Sequence, residues 1–240
     1  VADYVHFENI DLNGRLTVGR GAMVILEKNV TLVSDPTRTT STGDTAIYAA
    51  EGGFVKLGRN IDIEGSVIIQ EANLNMYGDG INVSRQIVVN GGFLGATSDF
   101  VPGVGNIPAG LTTPSLLATQ GAVVNLRNGK FNLDYLRVSG GNVTINSATA
   151  SPISSLETGG IWVNSGGTLT LSLASFVMND KSEAFLNGTI SLWDNSTANI
   201  GIEKNTSFPA LNVLSGSNLR LAQEFQSGRY LLTVQDLEVD

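Results

Sequence analysis

Asp62 and Glu64 stand two positions apart in the run Ile61-Asp62-Ile63-Glu64. On an extended strand such residues share a side, so with the isoleucines turned inward both carboxylates face solvent. Acid/base cleavage of a glycosidic bond needs two carboxyls about 5 to 9.5 Å apart, and i, i+2 side chains can meet that spacing. The plainer role of such a pair is a charged outer sheet face that discourages edge pairing, and that role is the expectation here. If residues about one coil apart come into contact, Asp44 and Asp79 are the carboxylates placed to join them.

The other reactive residue types are scarce. There is no cysteine and a single histidine, His6, between Val5 and Phe7. Disulfides, thiolate metal sites and cysteine nucleophiles are thereby excluded. A histidine base needs a partner to act on, and none is indicated, so His6 reads as a surface residue. Tyr77-Gly78-Asp79-Gly80 has the look of a calcium turn, but glycine-rich calcium repeats require iteration and this unit occurs once, so it reads as a β-turn. Gly91-Gly92 is followed by no Lys-Ser/Thr and opens no helix, so it is not a phosphate loop. Six N-x-S/T triplets, at Asn29, Asn82, Asn142, Asn187, Asn195 and Asn205, fit chance in a chain with 22 asparagines. No metal site and no cofactor is expected. Trp162, Trp193 and Phe100, with Tyr48, are the residues able to stack on sugars. Trp162 alternates with Ile161 and Val163, so its ring points outward if those two are core.

These residues need elements to hold them. Of 240 residues only 15% are charged, and 28 are glycine. Long amphipathic helices need charged faces, so this composition favours short strands joined by turns in which Gly and Asn adopt positive φ. The net charge of −8, with no basic cluster, argues against nucleic acid and anionic membranes. No apolar stretch is long enough for a membrane-spanning helix.

A phrase with period two recurs. It reads Gly121-Ala122-Val123-Val124-Asn125-Leu126, Gly141-Asn142-Val143-Thr144-Ile145, Gly167-Thr168-Leu169-Thr170-Leu171, Gly188-Thr189-Ile190-Ser191-Leu192 and Gly216-Ser217-Asn218-Leu219-Arg220-Leu221, the leading glycines stepping by 20, 26, 21 and 28 residues. Earlier variants include Gly53-Phe54-Val55-Lys56-Leu57, Leu74-Asn75-Met76 and Ile81-Asn82-Val83. Each phrase predicts a strand with one buried face. A single coil cannot bury that face alone, whereas stacked coils can. The reading is all-β: one right-handed parallel β-helix domain over residues 1–240, with coils of about 20 residues. Val143, Ile145, Leu169, Leu171, Ile190 and Leu192 should line its core. Three segments break the pattern, 34–46, 95–120 and 147–158. They are expected to leave the stack as loops, with 95–120 carrying recognition, because loops on rigid scaffolds do so disproportionately.

The phrases Asn164-Ser165-Gly166-Gly167-Thr168-Leu169-Thr170-Leu171, Ser139-Gly140-Gly141-Asn142-Val143-Thr144-Ile145 and Asn187-Gly188-Thr189-Ile190-Ser191-Leu192 resemble the passenger domains of autotransporter adhesins and toxins. The resemblance covers most of 120–222 and parts of 12–94. It implies a right-handed parallel β-helix, secreted or displayed on the bacterial outer membrane as a virulence factor. The chain would then be a fragment of a longer passenger or a whole domain. Its partner would be a host-cell surface or matrix component, protein or glycan, with self-association left open. The function expected on this basis is non-enzymatic adhesion through loops on a rigid stalk. Two alternatives stay open: a polysaccharide-degrading β-helix of phage tailspike or lyase type, using Asp62 and Glu64, and a purely structural stalk segment.

Overall fold

The computed structural model describes residues 4–34, 44–148, 153–201, 206–208, 210–214, 216–222, 232–234 and 236–239. They contain strands, turns and bends and no helix. The strands stack as a parallel β-solenoid of about nine turns with coils of roughly 21 residues. Among the described residues the coils place their strands on three faces.

The first face stacks Met23, Phe54, Asn73, Phe93, Val123, Asn142, Thr168, Thr189 and Ala210 as successive partners at the strand starts. The second face includes the later halves of Met23–Val33 and Phe54–Glu64, then Ile81–Val83, the first halves of Ala109–Ala118 and Gly129–Val138, and the start of Ser154–Val163. The third includes Leu16–Val18, Thr45–Ala50, Ser66–Gln70, Gln86–Asn90 and the later halves of those three long strands.

The alternation in each phrase becomes an unbroken buried row in the stack. On the first face the row runs Val24, Val55, Leu74, Leu94, Val124, Val143, Leu169, Ile190 and Leu211. On the second it includes Ile61, Ile81, Leu111, Phe131, Leu156, Phe176 and Ala198. On the third it includes Ile47, Val67, Ile87, Leu116, Leu136, Ile161 and Ala184. Burying one such aliphatic side chain is worth about 1.5–3 kcal/mol. The three rows form a single core cluster along the axis. The six core residues expected from the repeat are all buried in it.

The corner between the first and second faces turns on asparagine. Asn9, Asn29 and Asn60 have φ of 52°, 50° and 54°, in the left-handed region that asparagine tolerates. Their side chains bond along the axis. Asn29 Nδ2 donates to Asn9 Oδ1 at 2.8 Å, and Asn60 Nδ2 donates to Asn29 Oδ1 at 3.0 Å. The corner between the third and first faces turns on glycines such as Gly140, at φ 77°.

Two of the segments expected to protrude are shorter excursions than their composition suggests. Of 95–120, residues 95–97 end the strand Phe93–Thr97 and 109–118 form a long strand of the stack, with Leu111, Leu116 and Ala118 buried. The excursion is 98–108. It contains an antiparallel hairpin of Asp99–Val101 and Gly105–Ile107. Pro114 does not expel the strand because it sits where the chain passes from the second face to the third, between ladder partners Thr113 and Ser115. Of 147–158, residues 154–158 also belong to the stack. Ser154, Leu156 and Thr158 are fully buried, and the hydroxyls are satisfied. Ser154 Oγ donates to the Asn146 carbonyl at 2.5 Å, and Thr158 Oγ1 donates to the Gly160 carbonyl at 2.8 Å. Residues 149–152 lie outside the described residues. Most of 34–46 does as well, and Thr45 and Ala46 are buried at the start of Thr45–Ala50.

Two substitutions probe this architecture. Leu171→Asp places an unpaired carboxylate among the buried side chains of the first face, between Ile145 and Leu192, and is expected to cost on the order of 4 kcal/mol, read as a lower urea midpoint. Asn29→Ala removes two side-chain bonds and leaves alanine at positive φ. It should cost about 2 kcal/mol, and Asn29→Gly about half of that, since glycine accepts the backbone angle. Equal losses in the two Asn29 variants would show that the backbone angle contributes nothing.

Candidate binding groove

The outward side chains of the second face form a ladder of Thr31, Asp62, Asn82, Thr112, Asn132 and Glu157, each in register with the next. Five steps at about 4.8 Å give it a length of roughly 24 Å. Two hollows lie along it and share Asn82 and Thr112. One, of about 460 Å³, is bordered by Asp62, Glu64 and Pro114. The other, of about 320 Å³, is bordered by Asp79, Pro108, Lys130 and Ile153. Both volumes fall in the range of small-ligand sites, and the two adjoin at Asn82 and Thr112 along the face.

Glycines line the second hollow where neighbouring coils approach closely. Gly80 and Gly110 line it, and Gly110 pairs with Lys130 in the ladder. Gly110 leaves little room for a side chain, since a Cβ there would lie 3.3 Å from Asp79 Cα. Gly129 beneath is tighter still, its Cβ position overlapping the Ala109 carbonyl. Pro108, at the foot of the hairpin, and Ile153, just before the next second-face strand, form walls.

Asp62 and Glu64 lie where the alternation places them, exposed on the outer side of the second face. Asp62 is engaged: Asn82 Nδ2 donates to its Oδ1 at 2.8 Å. Glu64 is in register with Val33. Asp44 pairs with Arg85 at 2.5 Å, and Asp79 borders the neighbouring hollow. Among the described residues no three His, Cys, Asp or Glu side chains converge as a metal site would require. His6 is on the outer side of the first face, with Nε2 3.8 Å from Glu27 Oε2, an oxygen that also lies 3.5 Å from Lys56 Nζ. This is a surface charge cluster across successive coils.

The three aromatic candidates are not brought together. Phe100 is on the hairpin, 68% exposed. Trp193 ends a first-face strand, in register with Ser172. Trp162 points outward on the third face, as Ile161 and Val163 point in. Its ring is partly covered: the Arg137 guanidinium stands 4.6 Å from the ring centre and Tyr135 packs at 5.1 Å, tilted 43°.

Thr112, Lys130 and Asn132 were not singled out from sequence, and Asn82 was noted there only within a strand phrase and an N-x-S/T triplet. The available signal was register, since Asn82 stands one coil after Asp62. The hairpin is held beside the groove by Arg59 Nε, 3.6 Å from Asp99 Oδ2. Gly78 leaves space for the arginine stem, as a Cβ there would come within 2.7 Å of Arg59 Cγ.

No family model, curated protein or solved structure matches this chain.

Because the Arg59–Asp99 pair is partly exposed, its worth is about 0–1 kcal/mol. Asp99→Asn should therefore leave the melting temperature within about 2 °C of the parent. It should also speed proteolytic nicking at the hairpin tip, residues 102–104, followed by mass spectrometry. Unchanged nicking would show that the pair does not anchor the hairpin.

Proposed function

We propose that the chain is the shaft of a secreted or surface-displayed bacterial adhesin, of the autotransporter passenger type. It binds a polar chain molecule of a host surface or matrix, a glycan above all, without cleaving it. The observation that carries this reading is the second-face groove. Its ladder presents amides and hydroxyls at every step from Asn82 to Asn132 on a backbone locked by stacking. Such groups hydrogen-bond sugar hydroxyls, and a fixed scaffold lowers the entropic cost of binding. The engagement of Asp62 is the feature that favours binding over cleavage in this reading. Asp62 is held by a neighbouring amide, and Asp44 is ion-paired away from it. Hydrolysis requires two carboxyls free to exchange protons with the bond between them.

The test is a glycan array with purified chain, followed by cell and matrix binding. Thr112→Tyr fills the junction of the two hollows from an exposed position and should reduce binding at least about tenfold while leaving the melting curve unchanged. Reducing ends and unsaturated products are followed in parallel. Turnover that vanishes in the Asp62→Asn, Glu64→Gln double variant would replace this reading with the polysaccharide-degrading one. Neither binding nor turnover would leave the structural segment.

A further inference from the structure

The two hollows of the second face differ in charge. Asp62 and Glu64 border the larger one, and no lysine or arginine lines it. The Asn82 amide holds Asp62 without neutralising it. Glu64 is exposed and has no ion-pair partner among the described residues. Arg85, next to Ser84 on this side, is already paired with Asp44. The smaller hollow is balanced, with Asp79 and Lys130 both on its border. The surroundings add negative charge. Asp11 is in register with Thr31 at one end, Glu157 with Asn132 at the other, and the exposed Asp134 follows between Leu133 and Tyr135. At the first corner Lys28 is in register with Glu8, and Arg59 is turned to Asp99.

Building on the glycan-binding reading, on which it rests, we propose that the site selects amino-sugar chains that carry a free amine, and that the amine docks between Asp62 and Glu64. Charge complementarity selects this occupant. The two residues share one side of a strand with α-carbons about 7 Å apart, close enough for one ammonium to meet both carboxylates. Hydrogen bonds between an ammonium and a carboxylate are about twice as strong as neutral ones. Pro114 gives the sugar ring an apolar wall. An uncharged sugar follows in the smaller hollow, among Asn82, Thr112 and Asn132. Other occupants match less well. An acidic glycan would face these carboxylates directly, and among the described residues no three acidic side chains converge to bridge it through a divalent cation. An extended basic peptide docks on a free strand edge, whereas the second-face strands along the hollows are paired on both sides.

Both carboxylates are exposed, so each contact is modest and is screened by salt. The preference for a free amine over its acetylated form should therefore shrink as salt rises, while the hydrogen bonds from amides and hydroxyls to sugar hydroxyls persist.

Calorimetric titration of the full chain at about pH 6, where carboxylates are ionised, compares three oligosaccharides of one length: glucosamine with free amines, its N-acetylated form, and a uronic acid. The free-amine chain should bind at least about fivefold tighter than the N-acetylated one at roughly 50 mM salt, and the uronic acid chain weakest. Glu64→Gln, a nearly isosteric change at an exposed position, should reduce that ratio to about twofold or less. Lys130→Gln should tighten binding of the free-amine chain, whose next amine the lysine repels, a gain that misfolding cannot mimic. Equal binding of the free-amine and N-acetylated chains would overturn the proposal and leave the glycan reading standing. So would a preference that survives Glu64→Gln, or tightest binding by the uronic acid chain. Binding of none of the three would also overturn it, with the glycan array deciding the broader reading separately. An oligolysine peptide that binds more tightly than all three would replace the amino sugar with a basic peptide.

Discussion

Stacking in register at about 4.8 Å is the constraint on which everything else in this molecule rests. A residue in a parallel ladder meets the residue at the same place in the coil above and below, so each position is selected against its own column. Aliphatic columns satisfy this by continuous burial, as from Val55 through Ile190. Asparagine satisfies it at the first corner, where one amide's hydrogen fits the next amide's oxygen. Carboxylates cannot, because like charges one step apart repel. In the described ladders Asp62 accordingly lies between Thr31 and Asn82, and Glu157 between Asn132 and Val177. Where cations do meet, at Lys28 and Arg59, the arginine is turned to Asp99 on the hairpin. The low charged fraction of the chain follows from the same rule.

The rule also separates what was legible in the sequence from what was not. The core was legible wherever alternation ran inside one strand, as in Val143-Thr144-Ile145 and Leu169-Thr170-Leu171. It was illegible where one strand crosses a corner. In Ala109–Ala118 the buried positions shift phase from Leu111 and Thr113 to Leu116 and Ala118, with Pro114 between. A single period therefore does not describe the run, and the proline looked like a loop signal. In 154–158 the inward side chains include a serine and a threonine. Their hydroxyls are buried on backbone carbonyls, a bond that composition does not reveal.

The sites were less legible than the core because they are products of register. Asp62 and Glu64 could be placed outward from their own strand, but the Asn82 amide that engages Asp62 comes from the next coil. The outward row of the third face, in which Tyr48, Ile68, Val88 and Leu117 lie in register, was hidden twice. Val67-Ile68-Ile69 and Ile87-Val88-Val89 are apolar on both sides, so alternation does not say which side chain is outside. Their alignment with Leu117 and Trp162 depends on coil lengths that vary as insertions come and go.

The geometry of a three-faced shaft gives the second and third faces a relation. The hollows lie along the second face, and several coils run from that face onto the third in one continuous strand, as Gly129–Val138 does with Asn132 and Arg137. Each of these two residues is set against its own column, Asn132 between Thr112 and Glu157, Arg137 between Leu117 and Trp162. A substitution on one outer face therefore meets different neighbours from one on the other, although both stand on the same strand and over the same core.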